Sequence, residues 1–176
     1  MTRYVVLLRA VNIGSNQIRM AELRAAYVED GFADATTHIQ TGNVLLTSRL
    51  AATTLATRSE KLITARFGLS ITAIVRSAAE LDALVRSNPY ADAEPLTGRY
   101  VMFLDAESDA DGLDRLAAKA QPSVDYRVLG RDVCLSYREG FGRTKFTAAL
   151  VEKQLGRRAT ARNWTVTTKL AELAAG

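Results

Sequence analysis

The sequence predicts an α+β protein made of two tandem ferredoxin-like subdomains, each a βαββαβ unit with one extra helix. Three observations support this prediction. Each half of the 176-residue chain opens with a short apolar run typical of a buried strand. The same order of strand and helix patterns follows both runs. Between the halves, residues 88–98 hold two of the three prolines and read as a linker. We therefore expect subdomains at residues 1–87 and 99–176.

The first half begins with a strand and a helix. Residues 4–8 are apolar or aromatic throughout, which predicts a buried central strand. Met20, Leu23 and Tyr27 then recur at helical spacing, and Gly31 is a typical C-cap.

A hairpin, a second helix, a strand and a third helix complete the first half. The β-rich runs ATTHIQ and NVLLTS flank Thr41 and Gly42, which is typical of a tight hairpin. The residues that recur at helical spacing up to Gly68 predict the second helix, and the alternation in LSITAIVR predicts a strand. Ser77 and Glu80 form a capping box that opens the next helix.

The second half repeats this order. RYVMFLD predicts a strand, and the helix that follows it should stop near Pro122. VDYRVLG and DVCLSYR predict a hairpin, followed by a helix that ends at Gly156. ATAR is a short strand before the final helix. The two halves share little identity beyond an arginine at the end of the fourth strand and a leucine-bearing helix, so the repeat is inferred from element order.

The composition is that of an ordinary globular protein, with 48% hydrophobic and 24% charged residues. The formal charge of +4 is uneven: residues 91–137 carry five Lys/Arg and nine Asp/Glu, and residues 138–176 carry eight and three. A basic surface favours polyanionic partners, although a solvated face gives the same pattern. The N-terminal apolar run is too short for a signal peptide or membrane span, and Arg9 interrupts it. We expect a cytoplasmic protein with no membrane partner.

One cysteine and one histidine limit the chemistry. Cys134 cannot form an internal disulfide, its apolar neighbours indicate an inert buried thiol, and the two residues cannot supply an ordinary zinc site. His38 is more typical of a half-buried strand residue than of a catalytic base. Two-metal and paired-carboxylate catalysis are disfavoured because the polar clusters described next contain no Asp or Glu. We expect no metal and no cofactor.

Four polar clusters stand at the ends of predicted strands, and we interpret them as the candidate site. The turn GFGRTKF places two cations and main-chain N–H groups at a helix start, which suits a phosphate or carboxylate. Each cluster also has a structural explanation, since Gly14 and the hairpin suit turns, Arg9 can pair with a carboxylate and Asn163 suits an N-cap. The candidate ligand-binding residues are Arg9, Asn12, Gly14, Gln40, Thr41, Asn43, Arg143, Lys145, Arg162 and Asn163.

Ferredoxin-like strand directions predict which clusters lie together. The first strand and the second run the same way, so the end of the first strand and the hairpin share one sheet edge. In the second half, GFGRTKF and ARNW follow parallel strands and share the other edge. If these edges face each other, all four clusters line one cleft, in which Arg9 and Arg162 form a shared anion site.

Three functions remain open at this point. The first is a non-catalytic module that binds a phosphate-bearing small molecule or RNA. The aliphatic runs YVVLLR and NVLLTS lack the aromatic pairs of an RNA-recognition motif. The second is an enzyme acting on a small phosphorylated or carboxylated substrate, and the third is a structural or regulatory domain. The sequence indicates no oligomeric state.

LLRAVNIG, MAELRA, HIQTGNVLLTS and ATARNW…KLAEL resemble a bacterial family of small proteins defined as domain of unknown function 1697. The resemblance covers nearly the whole chain. It implies a two-subdomain α+β protein of the ferredoxin-like kind, and it implies no activity. Family members tend to read N-W-N-T-V before the final lysine and leucine, where this chain reads NWTVTTKL. Thr165 thus replaces an amide and Val166 a hydroxyl, and a ligand contact by those groups would be lost here.

Overall fold

The structure is a computed structural model in which residues 1–141 and 143–176 are described, and it forms two compact units. The first unit comprises residues 1–83 and 169–176, and the second comprises residues 84–168. The two halves are similar: each has a four-stranded antiparallel sheet and helices in the predicted order. The linker at residues 88–98, which includes a short 3₁₀ turn, stays a prediction of the sequence.

The first sheet has the strand order β2-β3-β1-β4, and all neighbouring strands are antiparallel. The hairpin, the second helix and the capping-box helix are all present, as the turn and cap signals predict. The elements of this half are β1 (Thr2–Leu8), α1 (Met20–Glu29), β2 (Thr36–His38), β3 (Asn43–Ser48), α2 (Ala52–Phe67), β4 (Ala73–Ser77) and α3 (Ala78–Ser87).

The second sheet repeats this order as β6-β7-β5-β8, again fully antiparallel. Its fourth strand runs without a break into the last helix, as β4 runs into α3. The elements of this half are β5 (Arg99–Leu104), α4 (Ala110–Ala117), β6 (Val124–Leu129), β7 (Asp132–Tyr137), α5 (Ala148–Leu155), β8 (Ala159–Asn163) and α6 (Trp164–Ala175).

One face of each sheet packs against two helices. Alternate residues of β1, such as Val6, join Leu23 and Tyr27 of α1 and Leu55 and Ile63 of α2 in the first core. In the second core, residues of β5 and β7 pack against α4 and α5. The alternate apolar residues of the strands thus pack against the apolar residues at helical spacing, and together they form one core layer in each unit.

Over the central strands, the opposite face of each sheet is buried as well. Val5 and Leu7 of β1 are fully buried, as are Val101 and Phe103 of β5. This burial on both faces explains why the opening run is apolar without alternation.

An arginine stands at the same register position on this second face in both sheets. Arg76 of β4 pairs with Val5, and Arg162 of β8 pairs with Val101. Both arginines are buried. The faint sequence repeat, an arginine at the end of the fourth strand, therefore marks a structurally equivalent position.

The capping box at Ser77 and Glu80 is reciprocal. The Glu80 carboxylate accepts hydrogen bonds from the Ser77 main-chain N–H and hydroxyl, both at 2.8 Å, and the Glu80 N–H donates to Ser77 Oγ at 3.2 Å. This arrangement starts α3 directly at the end of β4.

We expect Cys134 to resist thiol reagents in the folded protein. It is 0% exposed on the second face of the sheet, and burial raises the pKa of its thiol to about 12. The reactive thiolate is therefore scarce at neutral pH. Labelling with a chromogenic disulfide should proceed only at the rate of unfolding, and fast labelling without loss of structure would contradict the fold.

Candidate functional site

The end of β1 and the β2–β3 turn lie side by side at one edge of the first sheet, as the strand directions predict. Leu7 pairs with Asn43, and the Leu8 N–H donates to the Gly42 carbonyl at 2.8 Å. Arg9 follows and is exposed, with its main-chain N–H donating to the Thr72 carbonyl at 2.9 Å. Two of the predicted clusters therefore share one edge.

Asn12 joins the loop to the turn. Its Nδ2 donates to the Gln40 carbonyl at 2.7 Å and to the Ile18 carbonyl at 3.2 Å, and its Oδ1 accepts from the Ile18 N–H at 2.9 Å. Both ends of the amide are engaged, so Asn12 ties the loop after β1 to the β2–β3 turn and to the start of α1. Its ligand-binding role stays a prediction.

Asn43 and Thr41 form the turn itself. Asn43 is fully buried, and its Nδ2 donates to the His38 carbonyl and to Thr41 Oγ1, both at 3.0 Å. Gly42 has φ +74°, and a Cβ there would lie 3.0 Å from side-chain atoms of Leu8 and Val11. The sequence TGN thus builds a tight hairpin against the end of β1.

The β1–α1 loop, residues 9–19, has an unusual backbone. Ala10, Asn12 and Gly14 have φ values of +57°, +58° and +60°, whereas the residues between them do not have positive φ. Ile39 in the neighbouring turn is also left-handed, with φ +51°. A left-handed β-branched residue is costly, and strained backbone concentrates at functional sites.

Alternation of handedness turns successive main-chain N–H groups toward one side, a geometry that forms anion-binding concavities. The Asn12 N–H is used internally, donating to the Asn16 carbonyl at 2.6 Å. The N–H groups of Ile13, Gly14 and Ser15 donate to no acceptor among the described residues. All three residues are exposed, so these donors face solvent.

An open depression of about 720 Å³ lies beside this loop. Arg19 and Glu22 stand on it 3.8 Å apart, with largely exposed side chains, so this ion pair is weak. Gln40, from the turn, makes no side-chain hydrogen bond to any described residue. The lining residues are Asn12, Gln17, Ile18, Arg19, Glu22 and Gln40.

Sequence reasoning found Asn12 and Gln40 and missed Gln17, Arg19 and Glu22. The signal was available, since these residues directly precede α1 or occupy its first turn.

The second pair of clusters lies at the end of the second sheet where β7 and β8 finish. Tyr100, near the start of β5, pairs with Leu135 on one side and with Asn163 on the other. Asn163 caps α6, because its Oδ1 accepts from the Val166 N–H at 2.8 Å. Its structural explanation is therefore correct, and its ligand-binding role stays a prediction.

Arg143 and Lys145 lie in the β7–α5 loop, residues 138–147, and both are exposed. Gly142 of the GFGRTKF turn lies outside the described residues. The helix start in this loop is capped by Thr147, whose Oγ1 accepts from the Leu150 N–H at 3.2 Å. Thr165, one of the two departures from the family pattern, is exposed, and Val166 is half-buried.

Arg162 is buried in the sheet, with 6% of its surface exposed. Its Nη1 donates to Thr160 Oγ1 at 2.9 Å and to the Ala161 carbonyl at 2.8 Å. Burial lowers the pKa of the guanidinium to about 10. A shared anion site of Arg9 and Arg162 stays a prediction, and the environments of the two side chains differ sharply.

Other chemistry is sparse in the part of the chain that the structure describes. No three His, Cys, Asp or Glu side chains there are grouped to hold a metal ion. None of the helices in residues 1–141 and 143–176 has the length and apolar character needed to span a membrane.

We expect Arg162→Ala to lower the free energy of unfolding by about 2–4 kcal/mol, since it leaves a void and two acceptors without their donor. Arg162→Met should cost less, because it refills the space and removes a desolvated charge. Arg143→Ala, on the surface, should change stability by less than about 0.5 kcal/mol. Urea melts of the three variants provide the measurement. Equal stability of Arg162→Ala and Arg143→Ala would contradict the burial of Arg162.

Comparisons with known proteins agree with this fold. A model of the family described as "Protein of unknown function (DUF1697)" matches residues 1–133. The structure of a conserved bacterial protein from Streptococcus pneumoniae is similar over 100% of this chain and 99% of its own, with a TM-score of 0.79 and 20% sequence identity. None of the curated proteins matches the chain.

Proposed function

Because the chain belongs to the DUF1697 family, whose description carries no activity, we propose a function from the geometry of its first unit. That unit binds a phosphate-bearing ligand at the sheet edge where the β1–α1 loop meets the β2–β3 turn. The observation that carries this proposal is the alternating backbone at Ala10, Asn12 and Gly14. It leaves the N–H groups of residues 13–15 without an acceptor among the described residues, next to an open depression.

The scaffold supports this role. We propose that each half is ferredoxin-like, since its strand order, read from the other edge, is fourth-first-third-second with every neighbour antiparallel. In that arrangement the loop after the first strand and the hairpin after the second stand together on a rigid sheet. Loops held on such scaffolds are where binding residues concentrate.

The donors match a phosphate better than a carboxylate. Three successive N–H groups can surround several oxygens of one anion, and Arg19 and the Gln40 amide add donors at the rim of the depression. Asn12 keeps the loop and the turn in contact, so the donors are held in place before the ligand arrives. Preorganised donors cost less conformational entropy on binding.

A binding role is favoured over catalysis. Glu22 is the single carboxylate among the side chains that line the depression, and it is already paired with Arg19, the single cation there. An acid–base enzyme needs a group held within reach of the substrate with its pKa adjusted to the task. The reading as an enzyme on a small phosphorylated or carboxylated substrate is therefore the weaker proposal.

We also propose that the protein works in the bacterial cytoplasm. A single buried thiol is compatible with a reducing compartment. Phosphorylated metabolites and RNA, the partners considered for this chain, are abundant there.

Gly14→Ala should weaken phosphate binding at least about fivefold. A left-handed alanine is disfavoured by about 1 kcal/mol or more, so the loop shifts away from the binding conformation. A Cβ at Gly14 meets nothing within 4 Å, so no clash confuses the result. Gly14→Asn should retain binding, because asparagine tolerates this conformation. Titration with inorganic phosphate, followed through the amide NMR signals of residues 13–15, provides the measurement.

Gly68→Ala is the matched control for this test. Gly68 has φ +68° in the same unit, a Cβ there is also unobstructed, and it lies at the C-cap of α2. It should lose a similar amount of stability and keep phosphate binding. If Gly14→Ala and Gly68→Ala bind phosphate equally well, the loop is not the site.

Glu22→Gln should tighten phosphate binding about two- to fivefold. The substitution removes a negative charge from the depression and frees Arg19 from its ion pair. Because the pair is exposed, the gain should shrink as the salt concentration rises. Glu29→Gln, on the same helix but outside the depression, is the comparison and should leave the affinity unchanged. Weaker binding by Glu22→Gln would show that the anion does not occupy this position.

A further inference from the structure

Three aromatic rings of the second unit meet where the β7–α5 loop leaves the sheet. The Phe141 ring stacks on Tyr100, with 4.4 Å between centroids and 22° between planes. Tyr137 packs edge-on against both rings, at 5.4 Å from Phe141 and 6.0 Å from Tyr100. Stacked and edge-on pairs at these distances are the favourable arrangements of aromatic side chains.

Phe141 is the exposed member of the group. It keeps 43% of its surface accessible, Tyr100 is half-buried and Tyr137 is fully buried. A single exposed apolar side chain is ordinary and carries no argument. The distinguishing feature here is that the exposed ring stacks on a second, nearly parallel ring, which holds it in place.

The stack is held by hydrogen bonds on both sides of Phe141. The Tyr137 hydroxyl donates to the Phe146 carbonyl at 2.9 Å, which ties the end of β7 to the end of the loop. Thr144 Oγ1 accepts from the Phe146 N–H at 3.1 Å and donates to Gln121 Oε1 at 2.9 Å. The ring is therefore preorganised, although it stands in a loop.

Cations accompany the ring. Arg143 and Lys145 follow Phe141 by two and four residues, are exposed, and make no ion pair with a described residue. Arg138 at the start of the loop is partly neutralised by Asp125 at 3.3 Å. Glu139 is the single acid in residues 138–147. The loop therefore combines an exposed aromatic ring with two exposed cations that follow it closely in the chain.

We propose that Phe141 and Tyr100 form a stacking platform for a base of single-stranded RNA, with Arg143 and Lys145 contacting the phosphates beside that base. Aromatic rings beside cations bind single strands in this way because every base has a π-face and every linkage a charge. One stacked base on an open surface gives a weak complex, whereas a strand adds phosphate contacts, so a polymer fits better than a free nucleotide. The proposal concerns the second unit and does not depend on the anion site proposed for the first.

Fluorescence anisotropy with a labelled, unstructured 12-nucleotide RNA tests the proposal. The same strand annealed to its complement is the first comparison, because a duplex hides its bases while it keeps its phosphates. The folded protein should bind the single strand at least about fivefold more tightly than the duplex. AMP at millimolar concentration should compete poorly. Equal affinity for single strand and duplex, or efficient competition by AMP, overturns the platform.

Variants separate stacking from charge. Phe141→Ala should weaken single-strand binding at least about fivefold and leave duplex binding unchanged, whereas Phe141→Tyr should retain both. Arg143→Gln combined with Lys145→Gln should weaken both and reduce the dependence of log affinity on log salt by about 1.4. Full affinity of Phe141→Ala for the single strand would end the proposal.

Leu113→Ala is the matched control. Leu113 is also an exposed apolar residue of the second unit, 39% accessible, and it lies on α4, outside both proposed sites. It should bind RNA as the unmodified protein does. Thermal melts of all variants show whether each is folded, and Phe141→Leu, which keeps an apolar side chain but removes the π-face, should also lose single-strand affinity and replaces Phe141→Ala if that variant proves unstable. Loss of phosphate binding in Gly14→Ala without loss of RNA binding would separate this proposal from the first.

Discussion

Burial of both faces of the central strands is the constraint on which the rest of this structure depends. β1 and β5 each have neighbours on both sides and no exposed face over most of their length. Polar side chains are therefore scarce in the buried part of β1 and β5, and the two equivalent arginines, Arg76 and Arg162, stand on the neighbouring edge strands β4 and β8. Those two side chains satisfy nearby carbonyls of their own strands, Val75 and Ala161. Groups that could donate hydrogen bonds to a ligand therefore lie in the loops at the strand ends.

The loop after β1 shows how such donors are produced. The chain must leave a buried strand, pass the β2–β3 turn and enter α1. Asn12 fixes that path by contacting the turn and the start of the helix, at the cost of a left-handed backbone. The Asn12 side chain donates to the carbonyls of Ile18 and Gln40, and the Asn16 side chain donates to the Ala10 carbonyl. The N–H groups of residues 13–15 have no acceptor among the described residues, and these residues are exposed. These N–H groups lack acceptors because of the path by which the loop closes. We propose that a ligand reaches them from the depression beside the loop.

Much of the fold could be predicted from the sequence, since it depends on short-range patterns. The capping box at Ser77, the turn at Gly42 and the apolar run in β1 each specify one local conformation. The side-chain roles could not be predicted so well. Asn43 and Asn163 are candidate ligand donors in sequence, and the structure adds that Asn43 Nδ2 donates within a turn and that Asn163 Oδ1 caps a helix. The Tyr100–Phe141 stack joins residues far apart in the chain, so no local pattern indicates it.

The two halves share a topology but differ in which loops are long. In the first unit the loop after the first strand spans residues 9–19 and that after the third spans 49–51. In the second unit the loop after the first strand spans residues 105–109 and that after the third spans 138–147. Each half thus carries its long loop at the opposite end of an equivalent sheet. Binding residues concentrate on loops held by a rigid scaffold, and the strained backbone and the exposed aromatic stack occur in these two long loops. We therefore propose that similar scaffolds carry different binding chemistry, main-chain donors for an anion in one half and an aromatic ring with cations in the other.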